Sequence, residues 1–97
     1  MISFPQTPEL LAVAERTVWF KPPAEAIADT AHFIAHVLTY GMPDDVKTMR
    51  QYLSANELRT AVESAPPGVF DERSWSYWNA VIGKFDTPPL PVRNFPD

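Results

Sequence analysis

Apolar positions along most of this chain recur at helical spacing. From about Pro23 to Tyr40, Ile27, Ala31, Ile34 and Leu38 share one face, with Phe33, Val37 and Tyr40 beside it. Residues three and four apart stack on one side of a helix, so this run predicts a helix. Its apolar surface is wide enough to make it the centre of a bundle. Asp29-Thr30 offers a cap at which the run can divide in two. Before it, Leu10, Leu11 and Ala14 give a short apolar face, through about Glu15. After it come three more stripes: Val46, Met49 and Leu53; Leu58, Ala61, Val62 and Ala65; and Trp75, Trp78 and Ile82, with Tyr77 and Val81 adjacent.

Start and stop signals bracket these stripes. Thr7 caps, Pro8 suits the first helical position and Glu9 faces the positive end of the helix dipole. Gly41 is expected to stop the central helix in a left-handed conformation. Pro43-Asp44-Asp45 opens the next helix with two carboxylates in its first turn. Ser54 and Glu57 form a capping box, Pro66-Pro67-Gly68 breaks the chain, and Asp71 opens a last helix that Gly83 closes. Arg59 and Glu63, four apart, are expected to pair on the surface. Thr17-Val18-Trp19-Phe20 is β-branched and aromatic. It is expected to run extended and to dock Trp19 and Phe20 on the helices, since one strand cannot make a sheet. The expected fold is an all-α single small bundle of about five helices in residues 1–84. Residues 85–97 hold four of the eleven prolines. They form an extended tail, expected to lay Leu90 and its prolines over Trp75, Trp78 or Trp19.

Ninety-seven residues suffice for one hydrophobic core but not two. Eleven prolines fit helix starts and tails and would not be tolerated in central strands. The net charge of −4 argues against a coat for duplex DNA or anionic membrane, which needs a basic surface. The absence of cysteine removes disulfides, thiol nucleophiles and thiolate metal sites. Met1-Ile2-Ser3-Phe4-Pro5 has neither the basic region nor the apolar run of a signal peptide, and no apolar stretch is long enough to span a bilayer. A cytoplasmic location is the expectation.

Four constellations invite chemistry. His32 and His36 share a helix face, a spacing used by metal sites, with Asp29 one turn earlier as a third ligand. The metalloprotease form needs Glu after the first His, where this chain has Phe33, so the bland reading of a polar face is preferred. Residues 43–65 outline a helix-turn-helix with Lys47, Arg50, Asn56 and Arg59 as DNA contacts. Asp44, Asp45, Glu57 and Glu63 nearly cancel that segment's cations, so it supplies little phosphate affinity. Trp75, Tyr77 and Trp78 cannot all point inward. They and Trp19 are the candidate partner-binding residues, against the plainer reading of Trp75 and Trp78 as core. Pro88-Pro89-Leu90-Pro91-Val92-Arg93 has the pattern of a short proline ligand for an aromatic groove. No catalytic set converges, no glycine-rich phosphate loop is present, and no cofactor is implied. The chain reads as a non-enzymatic protein-interaction module, with a small DNA-binding regulator as the alternative.

Taken in order, Trp19-Phe20, a helix ending Val37-Leu38-Thr39-Tyr40-Gly41, the acidic start Asp44-Asp45, Tyr52-Leu53, Glu57-Leu58 and Tyr77-Trp78 resemble a family. These are small bacterial proteins often encoded beside a nucleotidyltransferase-type toxin of abortive-infection systems. The resemblance covers about Trp19 to Trp78. It implies an antitoxin-like or accessory role, with the toxin as protein partner, and it carries no catalytic residues.

Overall fold

The computed structural model describes residues 3–91. Among them are six helices and no strand: α1 (Pro8–Thr17), α2 (Pro23–Ala28), α3 (Thr30–Tyr40), α4 (Pro43–Arg50), α5 (Ala55–Glu63) and α6 (Glu72–Val81). The 23–40 run divides in two at Asp29, the break that Asp29-Thr30 offered, because the backbone leaves the helical region there (φ −88°, ψ 75°). Asp29 does not cap α3 with its side chain. Its carboxylate instead faces His32 and Lys21.

Local chemistry sets the starts of α1, α5 and α6. Thr7 Oγ1 accepts from the Leu10 N–H at 3.2 Å. Ser54 Oγ accepts from the Glu57 N–H at 3.1 Å, and Glu57 Oε1 accepts from the Ser54 N–H at 2.8 Å. Asp71 Oδ1 accepts from the Ser74 N–H at 2.7 Å. Each bond satisfies an N–H that the helix itself leaves unpaired. Gly83 closes α6 at φ 93°, a conformation glycine adopts without a Cβ clash. Gly41 departs from expectation: it is extended (φ −71°, ψ 148°), not left-handed. Glycine is required there by close approach, since a Cβ would stand 2.6 Å from the Val37 carbonyl oxygen and 3.2 Å from Asp45 Cβ.

α3 is the hub. It packs against α1, α2, α4, α5 and α6, and its residues 33–38 are all buried. Phe33 meets Phe4 edge to face at 5.4 Å, and Leu10, Val13, Val37, Met49 and Val62 complete a fully buried centre. Burying each such side chain contributes about 1.5–3 kcal/mol. Ala31 and Tyr40, expected on or beside the apolar face, are exposed. α4 and α5 make no substantial interface with each other, so the expected helical pair of residues 43–65 is two helices that pack separately on α3. Thr17 ends α1 with its hydroxyl donating to the Val13 carbonyl at 2.9 Å, and the segment after it turns at Trp19-Phe20 where an extended run was expected.

Among the described residues, two ion pairs join segments distant in sequence. Arg16 of α1 holds Asp45 of α4 through Nε at 2.9 Å and through Nη2. Glu63 pairs with Lys84 at 2.9 Å, not with Arg59 as its spacing suggested. The proline segment docks as far as it is described: Trp75 Nε1 donates to the Pro88 carbonyl at 2.7 Å, and Leu90 packs partly buried on the core. Val92 and Arg93, the end of the proline-ligand pattern, lie outside the described residues.

Candidate functional site

The turn after α1 buries Val18 and then presents two rings to solvent, Trp19 at 68% and Phe20 at 56% exposure. Pro22 and Pro23 follow and restrict the backbone on the far side. On α3, His32, His36 and Tyr40 are spaced four apart and form a stripe on the same side as these rings. Trp19 stands edge-to-face with Phe20 at 5.6 Å and with Tyr40 at 5.7 Å. Phe20 covers His36 at 5.4 Å, and His36 lies 5.9 Å from Tyr40. Edge-to-face pairs of this kind are worth about 0.5–1.5 kcal/mol each. The rings therefore brace one another while leaving their outer faces bare.

His36 anchors this patch. Its Nδ1 lies 2.7 Å from the His32 carbonyl oxygen, which can only accept, so Nδ1 carries the proton. His32 Nδ1 lies 3.2 Å from Asp29 Oδ1. Partial burial pushes the Asp29 carboxyl up, but the His32 hydrogen bond and the charges of His32 and Lys21 hold it below its ordinary value. Asp29, His32 and His36 are not brought together as metal ligands. His36 has already committed one nitrogen to the backbone, and no group of three or more His, Asp or Glu side chains is placed to hold a metal ion among the described residues.

The four partner-binding candidates separate. Trp75 and Trp78 are core residues. Their indole N–H groups are bound inside, to the Pro88 carbonyl and, at 2.9 Å, to the Leu38 carbonyl. Trp19 and Tyr77 remain exposed. Sequence reasoning passed over Phe20, Tyr40 and His36 as members of the Trp19 surface. The signal was present in the 32–36–40 spacing, which extends a histidine pair into an aromatic stripe.

Tyr77 belongs to a second feature, a groove of about 730 Å³ between α4 and α6. Lys47 and Arg50 line it from α4 and Arg73 from α6, over an apolar floor that includes Val46 and Trp78. The four DNA-contact candidates do not converge. Lys47 and Arg50 face this groove, Asn56 lines a different cavity beside Asp29 and Glu57, and Arg59 lines neither.

No helix among the described residues is long and apolar enough to cross a membrane. Compared with protein-family models, with curated proteins and with solved structures, the chain matches none.

Proposed function

We propose that this protein is a non-enzymatic interaction module that docks on a partner protein through Trp19, Phe20 and Tyr40. One observation carries the reading: three mutually braced rings, each more than half exposed, form a continuous patch around His36. Exposed large apolar patches are uncommon on monomeric proteins and mark contact surfaces. Rigid aromatic anchors are the residues on which binding energy concentrates. Met42, 68% exposed and two residues beyond Tyr40, adds apolar surface of an adaptable kind. The net charge of −4 favours a partner with an apolar pocket and a basic rim. A nucleotidyltransferase-type toxin, the partner implied by the sequence resemblance, is the first candidate.

The test compares tagged wild-type protein with the double variant Trp19→Ala, Phe20→Ala in the native host. Stoichiometric capture of one partner by the wild type, lost in a variant that melts normally, is the expected result. Undiminished capture by the variant overturns the assignment of this surface.

A further inference from the structure

The groove between α4 and α6 is independent of the aromatic patch and has a different chemistry. Seven Lys and Arg residues lie within the described chain. Arg16, Lys21 and Lys84 are paired with carboxylates. Lys47, Arg50, Arg59 and Arg73 have no carboxylate within ion-pair distance among the described residues, and three of these four line this one groove. Helical spacing aligns them, with Lys47 and Arg50 three apart on α4 and Arg73 and Tyr77 four apart on α6. No carboxylate lines the groove. Asp44, Asp45 and Glu72 are not among its lining residues, and Asp71, which accepts from the Ser74 N–H and feels the Arg73 charge, borders those two residues without lining the groove. Among the described residues, three of the four cations outside ion pairs thus surround this concavity.

The remaining lining narrows the ligand. The exposed Tyr77 ring stands edge-on to Trp78 at 5.0 Å, and the Ser74 hydroxyl lies one turn away on the same wall. Guanidinium groups match phosphate oxygens in pairs, and an exposed aromatic face accepts a stacked base. The volume of about 730 Å³ lies in the range of small-ligand pockets. A long polyanion needs an extended basic track, which the net charge of −4 disfavours. We infer that this groove binds a nucleoside polyphosphate, with its phosphates on Arg50, Arg73 and Lys47 and its base against Tyr77.

The experiment is calorimetric titration of the full chain at low salt with ATP, GTP, inorganic tripolyphosphate, adenosine and a tetraglutamate peptide. Trp78 and Tyr77 resonances are followed in parallel. A nucleotide is expected to bind and to shift both residues. Arg50→Ala and Arg73→Ala should each weaken it about tenfold or more, as loss of a charge-assisted hydrogen bond does. Tyr77→Ala should weaken the nucleotide about tenfold and leave tripolyphosphate unchanged. All three side chains are exposed, so the variants should melt like wild type. Three results would each overturn the inference: no nucleotide binding at millimolar concentration, affinity unchanged in the Arg50→Ala, Arg73→Ala double variant, or tighter binding of tetraglutamate. Tripolyphosphate binding as tightly as ATP would overturn the assignment of a base to Tyr77.

Discussion

Replacing Arg16 by Met should destabilise the fold through a residue it strands. Asp45 is 3% exposed. One oxygen accepts from the Met42 N–H at 3.1 Å, which caps α4, and the other takes both Arg16 contacts. Arg16→Met keeps most of the apolar stem and removes both charged donors, leaving a buried carboxylate with a single backbone bond. Hydrogen bonds to charged groups contribute about 1.5–3 kcal/mol, and breaking a fully buried pair costs about 3–5 kcal/mol. The Arg16 side chain is 56% exposed, so water screens part of this and the lower range applies, about 2 kcal/mol. In a domain of this size that lowers Tm by about 10 °C. The assay is urea unfolding followed by tryptophan fluorescence, on wild type, Arg16→Met, Asp45→Asn and the double variant. Because Asp45→Asn removes the stranded charge, the double variant should be more stable than the sum of the single losses predicts, with a coupling of about 1 kcal/mol or more. The pH dependence gives an independent check. Burial pushes the Asp45 carboxyl up, but the Arg16 and Met42 hydrogen bonds and the Arg16 charge outweigh it and hold it below its ordinary value near 3.8. A carboxyl lowered in the folded state contributes stability that is present above about pH 4 and lost as pH falls through the lowered value. Asp45→Asn should therefore flatten the acid limb below pH 4. Additive single variants, with coupling below about 0.3 kcal/mol, would refute the claim that the pair ties α1 to α4.

Gly41→Ala should cost more than Gly83→Ala in thermal melts. The first forces a Cβ to within 2.6 Å of the Val37 oxygen, whereas the second meets open space and carries only left-handed strain of about 1–2 kcal/mol; the reverse order would contradict the close-approach argument. The Thr39 hydroxyl is buried without a hydrogen-bond partner among the described residues, so Thr39→Val should leave Tm unchanged or raise it. Trp78→Phe removes the buried bond to the Leu38 carbonyl as well as ring volume, and should cost about 2–4 kcal/mol in urea unfolding. A loss below about 1 kcal/mol would place Trp78 outside the load-carrying core.

Three helix starts were legible because their caps are local. Thr7, Ser54 with Glu57, and Asp71 each bond within three residues, and the reader needs no tertiary knowledge to find them. The core stripe of α6 was legible for the same reason, since Trp75, Trp78 and Ile82 follow helical spacing onto the buried side. Partners distant in sequence were not. Asp45 looked like a dipole-facing first-turn carboxylate, and nothing local announced Arg16, 29 residues earlier. Glu63 had a plausible partner in Arg59 at helical spacing and took Lys84 instead. Both candidate surfaces depend on such assembly. Trp19 meets Tyr40 and Phe20 meets His36 only because the chain reverses through α2, and Arg73 joins Lys47 and Arg50 only because α4 and α6 both pack on α3. Spacing along one helix finds half of each site, and packing supplies the other half.

The central claim is that a partner docks on the Trp19 surface, and one measurement addresses it most directly. A partner captured from the native host is purified and titrated against wild type and against Trp19→Ala, Phe20→Ala. Loss of two anchor residues, each worth about 2 kcal/mol or more, predicts at least a hundredfold weaker binding by a protein that still melts like wild type. Equal affinity for the two proteins would contradict the account.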